Sequence, residues 1–199
     1  MSKNTKILLG VAGVLAIFLT FGYNKLVGVN QGVERAWGDV QSDYQRRADL
    51  VPNLVATVQG VANFEKETLQ SVIEARANAT RPEIKAENLL NNPQAFQQFQ
   101  QAQDNLGSAL GRLLVVVEKY PELKATESFR DLQTQLEGTE NRINTSRRKF
   151  NEAVQAYNGS VQKFPTVLYA GIMGFKQKQY FQATQEAQQA PKVDFGGNK

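Results

Sequence analysis

Charged side chains interrupt otherwise apolar helical patterns at a few positions, and these are the residues that could do chemistry. Arg47 occupies one step of a series whose other steps are Val, Trp, Tyr or Leu. A buried guanidinium needs a carboxylate partner, because an unpaired buried charge strongly destabilises a fold. An ion pair of Arg47 with Glu140, or of Asp43 with Arg147, would meet this need and fix the register of two helices. The alternative for Arg47 is a site for an anion or a protein partner.

The sequence offers few groups for catalysis. It has no His and no Cys, so the commonest general base, the commonest metal ligand and thiolate chemistry are all missing. Its carboxylates do not form the Glu-x-x-His pairs of a di-iron bundle. The sequence also lacks a glycine-rich phosphate loop and a nucleophile elbow. We therefore expect no metal, no cofactor and no enzymatic activity.

Composition favours an all-α fold. Hydrophobic residues make up 41% of the 199 residues, which is enough for a core, whereas 15 Gly and 6 Pro are too few for a many-turned β fold. The net charge of +4 would suit nucleic acid or an acidic membrane. However, the 23 basic residues are interleaved with 19 acidic residues along the predicted helices. They are typical of solvated helix faces, so we expect no nucleic-acid partner.

Residues 7–23 form an uncharged apolar run, ILLGVAGVLAIFLTFGY. As a helix this run extends about 25 Å, slightly less than the ~30 Å hydrocarbon core of a bilayer. Lys6 and Lys25 flank it and can reach the headgroups, and Tyr23 suits the interface. A cleavable secretory signal is the alternative, but the exit sequence FLTFGYNKLVG has no pair of small residues for cleavage. We predict a retained transmembrane signal anchor that follows a basic N-terminus, residues 1–6.

The charges beside the anchor predict its orientation. The α-amine, Lys3 and Lys6 lie on one side, and Lys25 and Arg35 lie on the other. The positive-inside bias therefore favours a single-pass protein with a cytoplasmic N-terminus and an extracytoplasmic body.

Residues 29–164 are predicted to form an elongated antiparallel bundle of three to four long helices. Apolar residues recur in steps of three and four, and in the first helix the phase is the same on both sides of Pro52. This constancy indicates one kinked helix instead of two helices and a loop. Trp37 and Tyr44 lie on the apolar face of this helix and are expected in the core. The predicted helices cover residues 29–61, 63–80, 93–120 and 122–164.

Residues 165–199 are predicted to form a short apolar C-terminal helix, beginning TVLYAGIMGF, and a flexible Gln-rich and Ala-rich tail. A loose helical cap on the bundle is one interpretation of this region. The alternative is a helix that packs on a neighbouring protomer or lies on a membrane surface. The candidate interaction residues are Leu168, Tyr169, Ile172, Met173, Phe175, Tyr180 and Phe181.

Several blocks of the sequence resemble the LemA family of bacterial membrane-associated proteins. These are VERAWGDVQSDYQRRADLVPNLVATVQG (33–60), ANFEKETLQSVIEARANA (62–79), YPELKATESFRDLQTQLEGTENRI (120–143), RRKFNEAVQAYN, FPTVLYAGIMGF and the closing PKVDF. The resemblance covers nearly the whole chain in order, with Phe150 where Tyr is common in the family. It implies an N-terminal transmembrane helix, an antiparallel helical body and a place in the bacterial inner membrane. It brings no established catalytic residues.

Together these observations predict a membrane-anchored, non-catalytic scaffold or adaptor. Its partners would be the lipid bilayer, through residues 7–23, and a protein that the sequence does not identify. Homo-oligomers are also expected, because rod-shaped copies in one bilayer are concentrated and share one orientation. The alternative function is a membrane-remodelling or lipid-contacting protein that uses its tail against a bilayer.

Overall fold

The computed structural model describes residues 2–62, 64–81 and 89–182, and within them the protein is all-helical, as predicted. Five α-helices and one 3-10 turn carry the described chain, and no strand occurs in these ranges. The elements are α1 (Lys3–Gln59), α2 (Lys66–Ala79), α3 (Pro93–Val117), α4 (Pro121–Lys124), α5 (Glu127–Gln162) and η1 (Thr166–Leu168).

The four longer helices alternate in direction. Trp37 on α1 packs on Phe150 near the end of α5, so α1 and α5 run antiparallel. At one end of α2, Lys119 forms an ion pair with Glu65, and at the other end Gln103 Nε2 donates to the Ala79 carbonyl. Helix α3 is therefore antiparallel to α2, and the order is up-down-up-down.

The longest helix, α1, passes through Pro52 without interruption, as the constant phase predicts. Proline has no N–H, so the carbonyl four residues earlier, that of Ala48, loses its helical donor. Arg76 on α2 supplies the missing hydrogen bond, with its Nε 2.8 Å from that carbonyl oxygen. The carbonyl left free in α1 is thus hydrogen-bonded by the neighbouring helix, and the same bond links α2 to α1.

Short polar side chains define where two helices begin. Asn92 accepts hydrogen bonds from the N–H groups of Gln94 and Ala95, and Pro93 takes the first helical position, as predicted. Thr126 accepts a bond from the Phe129 N–H and starts α5. The apolar periodicity predicted one helix over residues 122–164, but this cap separates α5 from the short α4. The second helix was predicted to begin at Asn63, which lies outside the described residues, and α2 begins at Lys66.

Two apolar clusters fill the bundle, one above the other. The proximal cluster, nearest residues 7–23, surrounds Trp37, and the distal cluster surrounds Leu54. Between them lies a layer of buried polar side chains. The proximal cluster includes Leu26, Val33, Val40, Tyr44, Phe96, Phe99, Ile143, Phe150, Val154, Tyr157, Ala170 and Phe181. The distal cluster includes Val51, Val58, Val72, Leu106, Leu110, Leu113, Phe129 and Leu136.

The first part of α1 takes no part in either cluster. Residues 2–21 are all exposed, and the first buried residue of the helix is Leu26. This segment is long and apolar enough to cross a membrane. One uninterrupted helix therefore carries both the exposed apolar segment and the buried face of the bundle.

The C-terminal segment differs from the predicted short helix and loose tail. Only Thr166–Leu168 is helical, as a 3-10 turn, and turns follow to Gly174. Gly174 has a positive φ of 85°, a conformation that suits glycine and ends the turns. Residues 175–182 are then extended and packed on α5. We call residues 164–174 the apolar turn and residues 175–182 the strap; residues 183–199 lie outside the described chain.

Candidate functional site

The polar layer between the two clusters is built around Arg47, which is 3% exposed. Its Nη1 lies 2.8 Å from Glu140 Oε1, and its Nη2 donates to both the carbonyl and the side-chain oxygen of Gln103. The guanidinium thus links α1, α3 and α5. A Cβ at Gly107 would lie 3.4 Å from Nη1, in ordinary van der Waals contact, so α3 packs closely on the guanidinium here. This geometry is that of a structural ion pair that sets helix register.

Arg147 has a different partner from the one considered in the sequence analysis. Its Nη1 lies 3.3 Å from Asp104 Oδ1 on α3, not beside Asp43. Asp43 instead lines a shallow groove between α1 and α5 together with Asn141 and Arg142. The reason is rotational, since Arg147 is on the side of α5 that faces α3 and the strap.

Trp37 and Tyr44 lie in the core, as predicted. Within the described part of the chain, neither the Trp37 Nε1 nor the Tyr44 hydroxyl has a hydrogen-bond partner. Burial raises the pKa of Tyr44 to about 12, although the cations of Arg147 and Arg47 act in the opposite direction. Tyr44 is therefore a neutral packing residue with a buried, unpaired hydroxyl.

Side-chain amides hold the strap on the bundle. Asn158 Nδ2 donates to the Lys178 carbonyl, and Asn158 Oδ1 accepts from the Lys178 N–H, both at 2.9 Å. Asn151 makes the same pair of bonds to Phe181, at 3.0 and 2.9 Å. Gln100 on α3 makes a third pair to Gln182, at 2.9 and 3.3 Å. Each amide presents one donor and one acceptor to one residue's backbone, as a neighbouring β-strand would.

Phe181 gives the strap its apolar contact. Its ring lies 4.9 Å from Phe96, 5.3 Å from Phe150 and 6.1 Å from Trp37, between ring centroids. Arg147 covers the outer face of the ring at 4.7 Å. The strap thereby covers the proximal cluster in the region that α2, which ends at Ala79, does not reach.

Lys178 is the other buried residue of the strap. Its ammonium group lies over the Tyr157 ring at 5.1 Å and donates to Asn91 Oδ1 at 3.3 Å. Burial lowers the pKa of Lys178, and the carboxylate of Glu34 opposes this shift. The lysine lines a cleft of about 670 Å³ that also includes Tyr23 and Phe175.

The structure divides the seven candidate interaction residues into two groups. Phe181 is buried in the core, and Tyr169, Met173 and Phe175 are half-buried at the proximal end of the bundle. Leu168, Ile172 and Tyr180 are exposed. Only the exposed group is available to a partner, and two of its members belong to the apolar turn.

Acidic residues do not gather into a metal site in the part of the chain that the structure describes. No group of three or more carboxylates there is placed to hold a metal ion. The polar layer itself contains an ion pair and hydrogen bonds between helices.

The amide pairs to the strap were missed by sequence reasoning. A signal was present, because Asn151 and Asn158 are seven residues apart and each directly follows a core aromatic residue, Phe150 or Tyr157. Such spacing places both amides on one edge of the helix, beside its buried face.

Comparisons with known proteins identify the family to which this chain belongs. Residues 36–195 match the model of the LemA family. The chain is 28% identical over 191 residues to magnetosome protein MamQ 2 of Paramagnetospirillum magneticum, which covers 87% of this chain and 70% of the relative. It is 27% identical over 178 residues to MamQ of Magnetospirillum gryphiswaldense, covering 82% and 65%. It is 22% identical over 162 residues to protein LemA of Metamycoplasma hominis, covering 81% and 69%. Because the family model matches most of this chain, the chain belongs to the LemA family.

Proposed function

We propose that this protein is a membrane-anchored, non-catalytic scaffold or adaptor of the bacterial inner membrane. Residues 7–23 span the bilayer once, and the helical body positions partner proteins at a set distance from it. The observation that carries the proposal is the continuity of α1, which joins the exposed apolar segment to the buried bundle without a linker. A helix without a break holds the body in a defined orientation relative to the span. A scaffold needs such a fixed orientation, whereas an enzyme can act from a flexible linker.

The chemistry of the described residues supports a non-catalytic role. Charged side chains between the helices are engaged in structural contacts, as in the pairs Arg47–Glu140 and Arg147–Asp104. The MamQ relatives are named for the magnetosome, not for a reaction. We extend this to the present chain as a role in organising a membrane-associated assembly, with homo-oligomers as one form of it.

Extraction from membranes tests the anchor. The full-length double variant Val14→Arg/Ile17→Arg places two charges in the predicted span, each costing about 2.5–3.5 kcal/mol near the bilayer centre. We expect this variant to leave the membrane fraction in alkaline carbonate, while the native protein and Val115→Arg stay in it. Val115 is exposed and belongs to the distal half, so it is a control for added charge. A native protein that is itself released by carbonate contradicts the anchor.

Particle imaging and mass determination in mild detergent test the assembly. A defined closed assembly supports a homo-oligomeric scaffold, whereas monomers alone contradict it and leave an adaptor for another membrane protein. A reporter fused after Lys199 tests the orientation. Reporter activity restricted to the cytoplasm would contradict an extracytoplasmic body.

The alternative function, contact with or remodelling of lipid, is favoured by one feature, the exposed side chains of the apolar turn. Leu168 and Ile172 point away from the bundle and bury little surface against it.

A further inference from the structure

The apolar turn exposes large hydrophobic side chains together. Phe164 is 80% exposed and Ile172 is 89% exposed, and Val167 and Leu168 are also exposed. Scattered surface hydrophobic residues are ordinary, but several within one short turn mark an interaction surface. Outside residues 7–23, most of the large exposed hydrophobic residues of the described chain lie in this turn.

The apolar turn lies where the exposed apolar segment of α1 ends. A Cβ at Gly22 would overlap the Tyr169 hydroxyl, so the turn packs directly on α1 at this level. The rings of Tyr23 and Phe175 meet edge to face, with centroids 5.6 Å apart. If residues 7–23 cross a bilayer, Gly22 and Tyr23 lie at its surface, and the turn must lie there too.

Among the described residues, the charges nearest the apolar turn along the chain are positive, and the acidic residue at this end, Glu34, lies in the cleft beside Lys178. No Asp or Glu occurs in residues 1–33 or 153–182, which include the base of α1, the end of α5, the apolar turn and the strap. Lys25, Lys163 and Lys176 are exposed, and the last two flank the turn. Basic residues at a membrane surface attract anionic lipid headgroups within a Debye length.

From these three observations we infer that residues 164–173 are a second membrane contact, which inserts apolar side chains into the headgroup region of an anionic bilayer. The inference rests on the proposed function, because it requires residues 7–23 to span. The lysines lie over the phosphates while Phe164, Leu168 and Ile172 reach the acyl boundary. This is the arrangement of basic and apolar groups found in interfacial segments.

The second contact has a mechanical effect. A single span permits the body to tilt and to rotate about the helix axis. The apolar turn touches the bilayer beside that axis, so the two contacts together restrict both motions. The apolar turn thus holds the helical body at a fixed inclination to the membrane.

Site-directed spin labelling tests the inference directly. The chain has no Cys, so a single introduced Cys is labelled uniquely. Full-length Ile172→Cys, Leu15→Cys and Val115→Cys are each labelled and reconstituted in phosphatidylcholine vesicles containing a quarter phosphatidylglycerol. The measured quantity is the accessibility of the label to oxygen, which partitions into lipid, relative to a water-soluble nickel chelate. Leu15 is the control within the predicted span, and Val115 is the exposed distal control.

We expect the Ile172 label to have an oxygen-to-nickel ratio several-fold above that of Val115 and closer to that of Leu15. A ratio equal to that of Val115, with Leu15 still in lipid, overturns the membrane contact and leaves the anchor intact. An aqueous Leu15 label overturns the proposed function instead. Spin–spin broadening at Ile172 together with low accessibility to both reagents identifies a second copy of the chain as the occupant, and this also overturns the inference.

A charge variant tests the type of lipid. Lys163→Gln/Lys176→Gln in the Ile172→Cys background should lower the oxygen-to-nickel ratio in anionic vesicles and leave it unchanged in pure phosphatidylcholine. Lys66→Gln/Lys149→Gln removes the same charge from exposed positions away from the turn and is the matched control. Equal ratios for the two double variants in anionic vesicles would overturn the role of the lysines.

Discussion

The Nε of Arg76 lies 2.8 Å from the carbonyl oxygen of Ala48, the acceptor that Pro52 leaves without a helical donor. One side chain of α2 therefore compensates for a proline inside α1. The relationship is reciprocal, since the proline frees the carbonyl and the arginine needs an acceptor. The energetic effect of substituting Arg76 should therefore depend on whether residue 52 is proline.

This dependence predicts a double-mutant cycle. Arg76→Met should lower the free energy of unfolding by about 1–3 kcal/mol, because it leaves a buried carbonyl unpaired. In a Pro52→Ala background the new N–H can serve that carbonyl, so the same substitution should cost clearly less. Chemical denaturation of the four proteins gives both values. Equal costs in the two backgrounds would show that Arg76 does not substitute for the missing helical bond.

The strap should control the environment of the single tryptophan. Phe181→Ala removes a ring that packs within 6.1 Å of Trp37, so Trp37 emission should shift to longer wavelength as water enters the proximal cluster. Tyr180→Ala changes the neighbouring residue, which is 41% exposed, and should leave the emission unchanged. A similar shift in both variants would indicate that the strap does not seal the cluster through Phe181.

Substitutions of the two partners of the Arg47–Glu140 ion pair should differ in their cost to stability. Arg47→Met leaves the buried side-chain oxygen of Gln103 without its donor and should lower the free energy of unfolding by about 1–3 kcal/mol. Glu140→Gln should cost less than about 1 kcal/mol, because the Glu140 side chain is 42% exposed and an amide oxygen can still accept. Thermal melts compare the two variants. Unchanged or raised stability in Arg47→Met, together with lost partner binding, would instead assign Arg47 to a functional site.

Tyr44 should make the fold sensitive to alkaline pH. Its pKa is raised from 10.0 to about 12 in the folded protein, so the unfolded chain releases this proton first. The contribution of this group to the free energy of unfolding is complete below pH 10 and is lost as pH rises towards 12, by at most about 3 kcal/mol.

The variant Tyr44→Phe isolates this effect. It removes a buried hydroxyl that has no partner among the described residues, so we expect neutral or slightly raised stability at pH 7. Urea denaturation of both proteins between pH 8 and 11 should show the variant gaining relative to the native protein above pH 10. A constant difference across this range would contradict burial as the source of the shifted pKa.

Helical periodicity was a sufficient guide to the long helices. In α1 the apolar phase continued across Pro52. The carbonyl that the proline leaves unpaired accepts a hydrogen bond from Arg76 on α2. Arg47 was conspicuous because it broke an apolar series, and its surroundings in the structure are those of a paired guanidinium. Local patterns succeed here because each helix buries one continuous face.

The strap could not be predicted in the same way. Its conformation depends on Asn151 and Asn158, whose polar side chains carry no periodic apolar signal, and on contacts that join distant parts of the chain. The apolar turn was equally hidden, because its nearness to Gly22 arises only when α5 returns along α1. The helix break at Thr126 followed from a single cap within a continuous amphipathic pattern.

The unbroken α1 also sets a length. From Tyr23 to Gln59 the helix rises about 54 Å, at 1.5 Å per residue. If residues 7–23 span a bilayer, as proposed, copies in one membrane present their distal ends in a common plane about 5 nm above it. A change of 10° in the inclination of the span displaces each distal end sideways by about 9 Å, because the helix acts as a lever. The proposed membrane contact of the apolar turn, by restricting this inclination, would therefore fix the lateral position of the distal end.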